Sequence, residues 1–267
     1  MSLRTSFTLL AGLLIAPLAS AEFDWSQALT GDHRLEGNAE RNEARHPRET
    51  LEFFGLEPGM TVMEVSPGGG WYTEVLAPLM QGQGTLIAAH YSANGGSYSR
   101  RSLGGFLQKM GSQDQIYGEV IVSELQPPNA MVPAQADSVD LALAFRNVHS
   151  WMRMNQVELF FSSIYDALKP GGVLGVVQHR GIPGTSVEDM KKSAYVSEQQ
   201  VIEFAELAGF ELDAKSEINA NPRDTKDYEG GVWTLPPVLR EGEKNREQYI
   251  AIGESDRMTL RFVKPAS

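Results

Sequence analysis

The amino-acid sequence predicts an α/β fold, an open and mainly parallel sheet of seven strands with helices on both faces. Three observations predict it. Short, nearly continuous apolar runs recur, among them residues 60–65 (MTVMEV), 85–90 (TLIAAH) and 173–178 (VLGVVQ), as strands buried on both faces require. Segments with helical periodicity separate them. Gly- and Pro-rich turns punctuate the alternation, which is the pattern of a parallel sheet with crossover helices.

Taken in order, residues 1–21 read as an address and not as fold. Arg4 gives a short positive region, residues 7–18 (FTLLAGLLIAPL) an apolar run, and Ala19-Ser20-Ala21 the small residues of a cleavage site. This is the pattern of a secretory signal peptide cleaved after Ala21. The run is short for a membrane span, which ranks an uncleaved anchor second. Residues 22–46 are polar and highly charged and read as an N-terminal arm or a solvated helix. The domain itself is expected over residues 47–267.

Pro47 suits the first position of a helix, and Leu51, Phe53, Phe54 and Leu56 give that helix an apolar face. Glu57-Pro58-Gly59 breaks it. A strand at 60–65, a glycine turn at 67–70, a helix at 71–80 and a strand at 85–90 follow. A helix is expected over 98–110, with strands at 119–123 and 138–145. Asn155 is expected to cap the next helix, with Glu158 three residues on as in a capping box; Val157, Phe160, Phe161, Ile164 and Leu168 form its apolar stripe. Lys169-Pro170-Gly171-Gly172 stops it before the strand at 173–178. Ser197 and Gln200 form a second capping box, and Gly209 ends that helix. Strands at 210–218 and 258–263 close the sheet. Between them, at about 221–255, lies an insertion rich in Gly, Pro and charge, either a lid or an exposed excursion.

Composition narrows the function. The 267 residues carry 23 Lys+Arg against 34 Asp+Glu, a formal net charge of −11, and no cysteine. Disulfides, thiolate metal sites and thiol nucleophiles are thereby excluded. The acidic balance argues against a nucleic-acid partner, whose phosphates need a basic face, and fits a protein handling small molecules or cationic partners. Export without cysteine fits a bacterial periplasm, where disulfides are permitted but not required. No stretch after residue 21 is apolar enough to make the cleaved chain an integral membrane protein.

In an open α/β sheet, ligands sit beyond the carboxyl ends of the strands, which directs attention to Glu64-Val65-Ser66-Pro67-Gly68-Gly69-Gly70-Trp71-Tyr72-Thr73. Glycines let a backbone approach a ligand closely, and the order is acid-x-G-x-G-x-G rather than the dinucleotide fingerprint. Here the chain resembles the class I S-adenosylmethionine-dependent methyltransferases. Glu64 matches the acid ending their first strand, Gly68 and Gly70 match later glycines, and Ser66 stands where the first is usual. Ser138-Val139-Asp140 resembles their fourth strand, residues 168–174 (LKPGGVL) their junction into the fifth, and Ala208-Gly209-Phe210 their A-G-F before the sixth. The chain is similar also to a group of exported, predicted methyltransferases, through H-P-x-E-T-L-x-F-F-G at His46, P-G-G-G-W-Y-T-E at Pro67, R-N-V-H-x-W at Arg146 and D-R-x-x-L-R-F-x-K-P at Asp256. The resemblance implies a Rossmann-like methyltransferase fold and S-adenosylmethionine as cofactor.

It implies that Glu64, Ser66, Gly68, Gly69 and Gly70 hold that cofactor. The family usually ends its second strand with Asp or Glu, to accept both ribose hydroxyls; here His90-Tyr91-Ser92 stands there. A neutral His accepts one hydrogen bond and is not bidentate, so His90, Ser92 and Asn94 are the candidates for the ribose. Ser123-Glu124-Leu125 is placed near the adenine. At the end of the fourth strand His149 is either a general base toward a methyl acceptor or a histidine bonded to a loop backbone. Arg146, Asn147 and His179 are expected around the acceptor. Trp71, Tyr72, Trp151 and Trp233 are either an aromatic pocket or ordinary packing, the latter for at least two. No short-spaced partner completes a metal site. The implied activity is methyl transfer to an unidentified small molecule in the cell envelope. The alternative is an exported binding module, for a small molecule or a protein, that has lost its cofactor. A nicotinamide-dependent oxidoreductase is disfavoured by the glycine spacing.

Overall fold

A computed structural model of the chain describes residues 22–266; the expected signal peptide, residues 1–21, lies outside them. Seven strands, β1 (Thr61–Val65), β2 (Thr85–His90), β3 (Ile121–Glu124), β4 (Val139–Phe145), β5 (Leu168–His179), β6 (Glu211–Ser216) and β7 (Arg257–Val263), form one sheet in the order β3-β2-β1-β4-β5-β7-β6. Strands β1 to β5 pair in parallel, and β7 runs antiparallel to both β5 and β6. The strand order reverses between β1 and β4, so the switch-point crevice opens at their carboxyl ends. The helices are α1 (Trp25–Thr30), α2 (Asn42–Arg45), α3 (Pro47–Phe53), α4 (Thr73–Met80), α5 (Ser97–Met110), α6 (Asp114–Tyr117), α7 (Val148–Arg153), α8 (Val157–Ala167), α9 (Val187–Ser193), α10 (Glu198–Leu207) and α11 (Arg246–Ile252).

Alternation along the strands builds two cores. Val62, Leu141 and Leu143 face one layer, made by Leu51 and Phe54 beside α3 and by Val75, Leu76 and Leu79 of α4. Met63, Val65, Ala142 and Ala144 face the other, made by Trp151 of α7, Phe160, Phe161 and Ile164 of α8, and Val201 and Ile202 of α10. Both faces are covered, which is why the central strands read as unbroken apolar runs.

Three local expectations are corrected. Asn155 does not cap α8: it sits at φ +54° and accepts from Lys191 Nζ at 2.9 Å, and Gln156 precedes the helix without a side-chain cap. Strand β5 begins at Leu168, five residues early, because the turn exchanges backbone bonds with the chain after β7, Gly171 N to Lys264 O at 2.8 Å and Lys264 N to Gly172 O at 2.9 Å. Ser197 does cap α10.

The third correction concerns residues 22–46, which are not a solvated arm. Pro78 lies inside α4 and has no N–H to give the carbonyl of Glu74, four residues earlier. His33 Nε2 donates to that carbonyl at 2.7 Å. The buried Glu74 carboxylate pairs with Arg34 and Lys109 and accepts from Asn38. The segment is thus pinned to α4 through both the backbone and the side chain of one residue, and it continues over the carboxyl edge of the sheet. The insertion is also folded down. Asp256 takes both arms of Arg180 and the amide of Asn221, while Asp224 accepts from Tyr195 Oη and the Asp256 amide. Within the insertion, Val232 and Leu235 are buried.

Candidate functional site

The turn after β1 takes left-handed backbone at Ser66 (φ +49°), Gly68 (φ +60°) and Gly70 (φ +74°). A side chain at Gly68 or Gly69 would meet nothing within 4 Å, so this part of the loop fronts open space; at Gly70 a Cβ would lie 3.1 Å from the Phe106 ring. Ser66, holding a conformation that costs a non-glycine residue about 1 kcal/mol, keeps a buried hydroxyl with no protein partner. Glu64 lies beneath the loop and not on it. It is 2% exposed, and its Oε2 accepts from Thr73 Oγ1 at 2.6 Å, tying the two ends of the turn together. Burial pushes its carboxyl up to about 7, against the pull of the Thr73 hydrogen bond and of Lys109 and Arg146.

Neither His90 nor Ser92, both expected at the ribose, lines the cleft. His90 is fully buried; its Nε2 donates to Gly68 O at 3.2 Å and its Nδ1 accepts from Tyr91 N at 2.7 Å. Both ring nitrogens are spent on backbone, and burial lowers the ring's pKa, keeping it neutral. It braces the glycine turn from behind. Ser92 Oγ accepts from Asn94 N within its own turn. Glu124 accepts from Ala93 N, and Leu125 is fully buried. The side chains that face the crevice from this side are Tyr91 and Tyr98.

The crevice is a cleft of about 440 Å³, walled by Ser66 and Gly68–Gly69, by Phe145, Arg146 and Asn147 after β4, and by Leu35, Asn38, Arg41 and Arg45 from the N-terminal segment. A second cavity of about 340 Å³ adjoins it. Arg41, Arg45 and Arg146 line both; the second adds His149, His179, Glu254 and Arg257, under a cover of Val232, Trp233, Pro236, Pro237 and Val238 from the insertion. Small-molecule sites fall in this size range.

The four residues expected near the acceptor converge, though not all in one role. Asn147 Nδ2 donates to Val65 O at 2.6 Å and locks the ends of β1 and β4 together. Arg146 (φ +61°) anchors its amide on Val177 O, and burial lowers its guanidinium to about 10. His149, on α7, places Nδ1 3.3 to 3.4 Å from the Gln178 amide, which itself donates to Ala194 O. Among the described residues its Nε2 has no hydrogen-bond partner. Burial lowers its pKa to about 4, with Arg153 adding to the effect. His179 Nδ1 lies 2.6 Å from Ser255 Oγ, and its ring centre is 5.6 Å from that of His149; burial and the neighbouring His149 hold its pKa well below the usual imidazole value. Both imidazoles are therefore neutral near pH 7. Of the four aromatics, Trp151 stacks on Phe160 and Tyr72 on Phe145 within the cores, whereas Trp71 and Trp233 line the two cavities. Among the described residues, no three His, Asp or Glu side chains are grouped to hold a metal ion, and no helix is long and apolar enough to cross a membrane.

The sequence reading missed Arg41, Arg45, Glu254 and Arg257. The first two follow Arg34 at intervals of seven and four residues, a helical spacing that marks one face and was the available signal. Tested against S-adenosylmethionine, the loop end of the first cleft fits: open Gly68–Gly69 backbone and an unpaired Ser66 hydroxyl stand where a polar ligand end would lie. The β2 end differs, since no carboxylate lines the cleft.

No protein-family model matches the sequence, and no curated protein matches it. Solved structures do. The crystal structure of the [4+2]-cyclase SpnF is similar with a TM-score of 0.58 at 17% identity, over 87% of this chain and 84% of that one. A SAM dependent methyltransferase from Aquifex aeolicus gives 0.57 at 17% identity, over 91% of this chain and all of the other. A possible exported protein from Bordetella parapertussis gives 0.50 at 16% identity, over 85% and 68%. With the strand order above, these likenesses establish that the chain has the Rossmann-like methyltransferase fold.

Proposed function

We propose that the protein is an S-adenosylmethionine-dependent methyltransferase acting on a small-molecule acceptor in the cell envelope. The observation that carries the proposal is the arrangement of two cavities. A left-handed glycine loop fronts the first, and Arg41, Arg45 and Arg146 are a wall shared with the second, which holds two neutral histidines. Ser66 and Gly68–Gly70 would hold the amino-acid end of the cofactor, with Tyr91 and Tyr98 beside its nucleoside. When bound, that cofactor supplies an activated methyl group on a sulfonium.

The chain supplies position and a proton acceptor. His149 Nε2, free of protein partners, receives the proton of an acceptor hydroxyl or amine. Gln178 fixes the ring from the other side. Arg146 and His179 orient the acceptor, and Asn147 holds the ends of β1 and β4 in register. Residues of the insertion, from Val232 to Val238, exclude water from above. The envelope location rests on the N-terminal signal pattern, with the likeness to a possible exported protein in its support.

The test is calorimetric titration with S-adenosylmethionine and S-adenosylhomocysteine. Micromolar binding is expected, abolished by Gly69→Leu, which fills the open side of the loop without a positive φ to strain it. A second reading is a binding module without methyl transfer. It is favoured by His90, which is turned inward onto Gly68 where a ribose-binding acid is usual, and by the arginines that face a cationic sulfonium. An absence of binding at millimolar cofactor would overturn the first reading and leave the second as the one to test.

A further inference from the structure

The second cavity is far more basic than the chain around it. Arg41, Arg45, Arg146 and Arg257 line it, and Glu254 is the one carboxylate in its wall. Glu254 accepts from Arg41 at 2.6 Å, from Arg45 at 3.2 Å and from Arg257, so a single negative charge serves three guanidiniums. Arg146 has no hydrogen-bond or ion-pair partner for its guanidinium among the described residues. The histidines add nothing negative. Four positive charges against one leave +3 in a cavity of about 340 Å³, on a chain whose net charge is −11.

The pairing is also incomplete at the atomic level. Arg45 and Arg257 have side chains 4% and 2% exposed, yet Arg45 Nη1 and Arg257 Nε have no hydrogen-bond partner among the described residues. A buried donor left unpaired costs about 1–3 kcal/mol, and an oxyanion is the group whose geometry a guanidinium fork matches. The opposite wall has different chemistry. Val232, Trp233, Pro236, Pro237 and Val238 are apolar, and Trp233 is itself held by Arg153 and Arg240, whose guanidiniums lie 4.4 and 4.5 Å from the ring centre.

We propose that this cavity binds a small amphiphilic acid, its carboxylate on Arg45, Arg146 and Arg257 and its aromatic or aliphatic body under Trp233 and the prolines. That this acid is the methyl acceptor rests on the reading above; that the cavity binds it does not. The apolar cover distinguishes this ligand from a bare inorganic anion, which has nothing to place there.

Calorimetric titration of the purified protein without cofactor tests the proposal with three probes of one shape: benzoate, benzamide and benzylamine. Benzoate is expected to bind saturably, at least roughly tenfold tighter than benzamide, and benzylamine not at all. Arg146→Gln should reduce benzoate to the level of benzamide without lowering the thermal unfolding midpoint, since among the described residues its guanidinium has no hydrogen-bond or ion-pair partner to lose. Val238 is 53% exposed and lines the second cavity but not the first, so Val238→Glu should abolish benzoate binding from a surface position. Equal binding of benzoate and benzamide, benzoate binding that survives Val238→Glu, or inorganic phosphate binding where benzoate does not, would each overturn the proposal. The S-adenosylhomocysteine titration keeps the two readings separable. Benzoate without S-adenosylhomocysteine removes the cofactor and leaves this site standing, and the reverse removes only this site.

Discussion

Burial sets the chemistry of single residues here, and Glu64 carries the clearest consequence. Its neighbours, Thr73, Lys109 and Arg146, all favour the carboxylate, yet desolvation outweighs them and raises the group from 4.5 to about 7. A carboxyl raised in the folded state holds its proton more tightly there than in the unfolded chain. The stability this contributes is complete below the unfolded value, about pH 4.5, and is lost as pH rises through about 7. The displacement corresponds to about 3 kcal/mol. Glu64→Gln keeps an acceptor for Thr73 and removes the titration. Urea unfolding across pH 4.5 to 8 should therefore show wild type losing about 3 kcal/mol relative to the variant. A difference that stays constant with pH would mean that Glu64 is ionised in the fold. The same desolvation acts on His149 in the opposite chemical sense, lowering a base, and leaves it uncharged over the neutral range, with its ring nitrogen unoccupied by a proton but weakened as a base.

At the scale of elements, Pro78 and Glu74 decide where the N-terminal segment goes. A proline inside α4 frees one carbonyl, and His33 takes it from 41 residues away. The carboxylate of the same residue gathers Arg34, Lys109 and Asn38. None of this was legible from local pattern. Residues 22–46 show charge but no apolar stripe, and their partners are distant in sequence, so they read as solvated even though Arg34, Arg41 and Arg45 recur at helical spacing. Glu74 is fully buried, and removing one member of a buried ionic cluster leaves the others uncompensated, at about 3–5 kcal/mol. Glu74→Gln should therefore lower the global unfolding free energy by about that amount. Because Leu35, Asn38, Arg41 and Arg45 wall the first cleft, it should also make the segment around them the first site of limited proteolysis. Cleavage that begins instead in the insertion, with stability unchanged, would show that the segment is held by other contacts.

At the scale of the whole molecule, the legible part was what repeats and the illegible part was what converges. Strands β1, β2 and β4 announced themselves because both of their faces are buried, so burial alone wrote their apolar runs. The glycine turn could be read because left-handed backbone narrows the choice of residue. The second cavity could not, since its arginines come from residues 41, 45, 146 and 257, brought together only when the N-terminal segment lies over the carboxyl edge of the sheet and β7 inserts between β5 and β6. The C-terminal strand makes the point testable. Strand β7 lies between β5 and β6 and pairs with each; Met258, Leu260 and Phe262 are fully buried in the core, and Arg257 reaches the cavity from its first position. Removing residues 257–267 takes an interior strand from the sheet and leaves β6 without its neighbour, so the loss cannot be confined to an edge. Circular dichroism of the shortened chain should show no cooperative thermal transition, and the intact chain should unfold in one. A shortened chain that still melts cooperatively would mean that β1 to β5 with their helices form a self-sufficient core, and that β6, β7 and the insertion were added to it as a separable cover for the site.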